Sequence, residues 1–98
     1  MKTYLIAYYY DNYDRVYQGR SRTLESYLKQ SVQWAKLFST VWIVNSDLTK
    51  EKILQNINDV LGDSSPYFKI FITEISSSSY TTSGFYNDIN KWLEINIK

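Results

Sequence analysis

Asp11 and Asp14 follow one apolar run of this chain, and Asn45 and Asp47 follow another. Oxygen donors of this kind suit a magnesium ion, and a bound ion can activate water against a phosphodiester. If the two runs are neighbouring parallel strands, Asp11 comes to lie beside Asn45 and Asp47. Asp11 is then the candidate catalytic carboxylate, and Asp11 and Asp47 are the candidate metal ligands. Magnesium is called for only by that nuclease chemistry. Plainer roles exist for the same residues: Asp47 stands just before a helical segment, where an acid caps the helix or offsets its dipole, and Asp11 and Asp14 suit a solvated loop.

A second set of residues could hold a polyanion. Between Arg15 and Lys36 the chain carries Arg15, Arg20, Arg22, Lys29 and Lys36 against one acid, Glu25, with Tyr13 and Tyr17 close by. Arg and Lys pair with phosphates while tyrosine rings stack on bases, so Arg15, Arg20, Arg22, Tyr13 and Tyr17 are the candidate nucleic-acid-binding residues. The stretch Asp47–Asp63 is mildly acidic and would oppose a duplex approaching from its side. Net charge over the 98 residues is only +1, and a solvated helix face would also account for the basic residues.

The composition excludes much else. With no His and no Cys, the chain has no disulfide framework, thiol nucleophile, imidazole or thiolate metal site, or Ser-His-Asp relay. Catalysis would fall to carboxylates, Lys, Arg, Tyr or Ser. The longest mainly apolar run, Leu37 to Val44, is too short to span a bilayer, and the N-terminus shows no signal pattern. A cytoplasmic protein without a membrane partner is the expectation.

These side chains must be positioned by alternating strands and helices. Thr3–Tyr10 sets Tyr4, Ile6, Tyr8 and Tyr10 on one face and Leu5, Ala7 and Tyr9 on the other, and apolar character on both faces marks a central strand. Asp11–Arg22 reads as a long polar connection, then Thr23–Gln30 as a short helix capped by Ser21 or Thr23. Val32–Ser46 reads as a hairpin turning at Ser39-Thr40, with one long bent strand as the competing reading. Lys50–Leu61 has the clearest helical periodicity, through Ile53, Leu54, Ile57, Val60 and Leu61. Gly62 supplies a left-handed stop, and Pro66 prevents resumption. Tyr67–Ile75 alternates as a fourth strand. Residues 76–84 read as a flexible polar loop, and 85–95 as a C-terminal helix with Phe85, Tyr86, Ile89, Trp92 and Leu93 at helical spacing.

Strand, helix, hairpin, helix, strand is the split βαβ pattern, βαββαβ, of the ferredoxin-like fold. The expectation is therefore an α+β single domain over 1–98, an antiparallel sheet with two helices on one face, plus the C-terminal helix. Aromatic residues make up 17% of the chain, more than one small core needs. A homodimer that covers the other sheet face or pairs edge strands would use them, with Tyr8, Tyr10, Trp34 and Trp42 as interface residues.

The first strand KTYLIAYYYD, the hairpin VQWAKLFSTVWIVNSDLT, the helix EKILQNINDVL, the strand YFKIFITEI and the terminal INKWLE resemble the small bacterial proteins called SinR-like. Those are similar in turn to the dimeric ferredoxin-like CRISPR-associated adaptation protein and to virulence-associated protein D. The most specific stretch is Ser39–Val44 followed by Asp47–Thr49. The resemblance implies a homodimer in an antiviral-defence setting. In the CRISPR-associated relatives, the Asp of a Tyr-Asp pair ending the first strand lies at the dimer interface as the proposed metal-binding nuclease residue. The matching pair here would be Tyr8-Tyr9. The carboxylate stands two residues further on, at Asp11, about 7 Å along the strand.

Three functional readings follow. The first is a dimeric module, non-catalytic or weakly catalytic, that contacts DNA or RNA. The second is a magnesium-dependent endoribonuclease using Asp11 at the dimer interface. The third is a protein-interaction subunit using an aromatic sheet face.

Overall fold

The alternation along the first strand organises the whole molecule. In the computed structural model, Tyr4, Ile6 and Tyr8 are buried on one face of that strand, while on the other Thr3 is buried, Leu5 and Ala7 are half-buried and Tyr9 is exposed. The structure describes residues 1–10, 15–77 and 80–97, with the backbone alone at 15–18. The elements are β1 (Lys2–Tyr10), α1 (Arg15–Leu28), β2 (Gln33–Phe38), β3 (Val41–Ser46), α2 (Lys50–Leu61), a 3-10 helix Gly62–Tyr67, β4 (Phe68–Ile75) and α3 (Asn87–Asn96).

The sheet order is β2-β3-β1-β4, and every neighbouring pair is antiparallel. This is the ferredoxin-like split βαβ arrangement, α+β, as the order of elements predicts. Residues Tyr4, Ile6, Tyr8, Trp42, Val44 and Phe68 form one core with Leu24 and Leu28 of α1 and Ile53, Ile57 and Leu61 of α2. Both helices thus lie on the face carrying the larger β1 side chains.

The second face is covered at one end by the chain's own C-terminal helix. Leu93 and Ile97 pack on Ile43, with Leu37, Ile75, Tyr80, Ile89 and Trp92 around them. Asn45, 2% exposed, fastens this layer: it accepts from Thr3 Oγ1 at 2.5 Å and donates through Nδ2 to the Asn96 carbonyl at 2.8 Å and to Gln33 Oε1 at 2.7 Å. The other end, around Tyr9, Ala7 and Phe71, is left open.

Several local expectations need correction. Residues 15–22 are helical, so the polar stretch after β1 is largely the first half of α1. Its periodicity is hidden in the sequence because the core-facing position ahead of Leu24 is a serine. Ser21 is buried, and its hydroxyl is satisfied by hydrogen bonding with the Tyr10 hydroxyl. Ser21 and Thr23 accordingly lie inside the helix and do not cap it. The β2–β3 hairpin turns at Ser39-Thr40, with a register shift between Lys36 and Phe38, so the single bent strand is excluded. α2 ends as its sequence suggests, at Gly62 with φ 56°, but the chain then winds on through a 3-10 helix containing Pro66. Pro fits there because helical φ is its own, and a short helix can spare its N–H.

Candidate nucleic-acid interface

Arg20 and Arg22 are both exposed on α1. Two residues apart on a helix means roughly 200° apart around its axis. Arg20 therefore flanks the α2 side, as does Tyr27 seven residues later, whose hydroxyl accepts from Asn56 Nδ2 at 3.0 Å. Arg22 shares its stripe with Lys29, also seven residues later, and faces solvent. Neither arginine makes an ion pair among the described residues. Arg15 opens the helix. Its side chain, that of Tyr17, and the whole of Asp11, Tyr13 and Asp14 lie outside the described residues.

β2 supplies the other half of this surface. Lys29 Nζ stands 5.7 Å from the centre of the Trp34 ring, and Trp34 is 38% exposed. That contact is a cation–π pair at the molecular edge. Lys36 Nζ lies 2.8 Å from Glu25 Oε1, so the one acid of the basic stretch neutralises one of its cations. Arg22, Lys29 and Trp34 thus share the α1/β2 side of the molecule, an arrangement hidden in the sequence because Trp34 reads there as a dimer-interface residue.

The interface residues expected from sequence are redistributed. Tyr8 is 5% exposed and Trp42 is 0% exposed, both within the core under the helices. Neither can meet a second molecule. Tyr10 also lies on the helix side, edge-on to Phe68 with ring centres 5.0 Å apart. Trp34 stacks obliquely on Trp42 at 5.3 Å and keeps part of its surface open. Burial pushes the Tyr8 phenol up to about 12, helped by the neighbouring Tyr10 and Glu25. Its hydroxyl donates to the Ser39 carbonyl at 3.1 Å. Exposed aromatics of the second face are instead Tyr9 on β1 and Phe71 on β4, while Phe38 is exposed on the far edge strand β2, its ring 5.6 Å from that of Phe85.

The carboxylate pairing also fails, because β1 and β3 are antiparallel. Lys2 pairs with Ser46, so Asp47 sits beside the start of β1, its Oδ1 3.7 Å from the Met1 amino group. Tyr10, the residue preceding Asp11, ends the same strand about 30 Å away at the usual rise per residue. The parallel neighbours on which the pairing of Asp11 with Asp47 rests are therefore not present, and Asp11 itself lies outside the described residues. Asp47 does not cap α2 either: Thr49 does, its Oγ1 accepting from Lys52 N at 3.1 Å. Among the described residues no group of three or more carboxylates could hold a metal ion. Asp47 instead rims a cleft of about 350 Å³ floored by Ile6, Leu28, Val44 and Ile53.

No family model matches the sequence, and the search of curated proteins finds no relative. No helix among the described residues is long and apolar enough to cross a membrane.

Proposed function

We propose that this chain is a dimeric ferredoxin-like module of the cytoplasm, non-catalytic or weakly catalytic, that contacts DNA or RNA through the basic side of α1. The observation that carries this reading is the exposure of Arg22 without an acidic partner among the described residues, on the stripe of Lys29, which stands over a half-open Trp34, while Arg20 is exposed on the flank toward α2. Guanidinium and ammonium groups free of acids are available to phosphates, and an open indole is available to a base. Arg15 and Tyr17 belong to the same helix and Tyr13 precedes it in sequence, and they stand as candidates on sequence grounds alone. The resemblance of Ser39–Val44 and Asp47–Thr49 to the SinR-like and CRISPR-adaptation proteins supports the same reading and suggests a defence setting.

Fluorescence anisotropy with labelled duplex DNA and single-stranded RNA, across a salt series with magnesium present, tests it. Binding should weaken steeply with salt, and Arg22→Glu should lower affinity by roughly tenfold or more. Affinity that ignores both salt and Arg22→Glu sinks the proposal. The exposure of Tyr9 and Phe71 on the open sheet face favours a second reading, a protein-interaction subunit, which would survive that result.

A further inference from the structure

The two edges of the sheet are built differently. β2 is short and has a register shift between Lys36 and Phe38. Short length and a bulge are usual protections against strand addition. β4, the opposite edge, runs eight residues in unbroken register with β1 from Thr3↔Ile75 to Tyr10↔Phe68. At its centre stand Ile70, Phe71 and Ile72, with no proline, charge or bulge. Phe71 is 63% exposed, and Leu54 of α2 is 40% exposed. Leu54 lines, with Lys50 and Glu51 of the same helix and Ile70, Phe71 and Ile72 of the strand, a groove of about 320 Å³ between α2 and this edge. Lys69 and Glu74 stand one and two residues outside that centre, and along it the outer edge of β4 turns backbone donors and acceptors away from β1.

We infer that β4 pairs antiparallel with β4 of a second copy of this chain, centred on Phe71, to form one continuous eight-stranded sheet with all four core helices on one side. The inference rests on the dimeric part of the reading above and gives it a geometry; it does not depend on nucleic-acid contact. A two-fold axis normal to the sheet keeps equivalent faces together, so each residue must pair with one of its own parity along the strand. Centring on Phe71 sets Phe71 against itself and Ile70 against Ile72 of the second copy. Lys69 then faces Thr73, and Phe68 faces Glu74. The three central pairs are apolar on both faces, and no charge opposes its like. Centring on Ile72 would set Ile70 against Glu74, and centring on Ile70 would set Lys69 against Phe71. Phe71 is thus the centre at which the strand's pattern complements itself. The same pairing joins the two open patches of Tyr9, Ala7 and Phe71 across the axis.

The test uses the full chain, which contains no cysteine of its own. A thiol introduced by Phe71→Cys should lie opposite its symmetry mate, within the separation a disulfide spans, and give a covalent dimer quickly on mild oxidation. Phe38→Cys, exposed on the other edge, should not. Sedimentation equilibrium of the unmodified chain should show a dimer, and Phe71→Asp should raise its dissociation constant roughly 100-fold, since truncating a central aromatic twice, once per copy, removes two anchors. A monomer at all concentrations overturns the inference. So does a dimer that persists in Phe71→Asp while the Phe71→Cys chains crosslink no faster than the control, which would place the contact elsewhere. Nucleic-acid binding measured on the same variants keeps the two proposals apart: loss of salt-dependent binding by Arg22→Glu with crosslinking intact concerns only the basic surface.

Discussion

Asn45 Nδ2 donates to the Asn96 carbonyl at 2.8 Å, and this bond ties the central strand β3 to the end of α3 across the second face of the sheet. The same amide accepts from Thr3 and donates to Gln33, so a single buried side chain satisfies three groups. Replacing it should cost more than an ordinary hydrogen bond, because the Thr3 hydroxyl and the Asn96 carbonyl would be left buried without partners. Asn45→Ala should lower unfolding free energy by about 2–3 kcal/mol, whereas Gln33→Ala, at an exposed partner, should cost about 0.5 kcal/mol or less. Chemical denaturation of both variants checks the ordering, and faster amide exchange at Leu93–Ile97 in Asn45→Ala would report the loosened helix.

The buried Tyr8 phenol makes stability fall at alkaline pH. Its ordinary value of 10.0 is raised to about 12 in the folded chain, chiefly by burial. The folded state therefore holds this proton more tightly than the unfolded state. Its contribution is fully present below pH 10.0 and is lost as pH rises through about 12. Tyr8→Phe removes the titration together with the bond to Ser39, so the variant should be less stable by about 1 kcal/mol at neutral pH. The gap should narrow at alkaline pH. Denaturation midpoints measured between neutrality and pH 12 would show parallel curves if Tyr8 ionised normally.

Helix capping separates two residues that the sequence leaves in competition. Thr49 holds an extended conformation and accepts from Lys52 N, while Asp47 is exposed two residues earlier. Thr49→Ala should cost about 1 kcal/mol. Asp47→Ala should stay within about 0.5 kcal/mol of the parent. Equal losses in thermal unfolding would return the capping role to Asp47.

The order of elements and the boundaries of the hairpin and α2 are legible from periodicity alone, because their buried positions are occupied by apolar side chains. The first half of α1 is not, because Ser21 fills a core-facing position and finds its partner in the Tyr10 hydroxyl, a contact from another element. The two faces of β1 are likewise legible, but not which of them the helices cover. Tyr8 and Trp42 are large amphipathic side chains that suit an interface as well as a core, and only the arrangement of α1 and α2 assigns them to the core. Pairing Asp11 with Asp47 required parallel neighbours. In the split βαβ order each crossover joins strands separated by another, so the true neighbours β1 and β3 run antiparallel and the parallel pairing is not available. The shared stripe of Arg22 and Lys29 follows from a spacing of seven, whereas its companion Trp34 is brought there by the β2 edge.

Glu25 is the one acid between Arg15 and Lys36, and it lies against Lys36. Its carboxylate reduces the field of the proposed phosphate-binding surface and occupies a cation that could otherwise reach a ligand. The pair is partly exposed, so its loss should cost less than about 1 kcal/mol of stability. Glu25→Gln should then strengthen nucleic-acid binding several-fold at low salt, and steepen the dependence of log affinity on log salt by about one if Lys36 takes up a phosphate. Adding Lys36→Gln to that variant should remove the extra slope. Anisotropy titrations over the same salt series distinguish the outcomes: an unchanged slope in Glu25→Gln places the ligand away from β2, and unchanged affinity together with an unchanged slope removes this side of α1 from the binding surface.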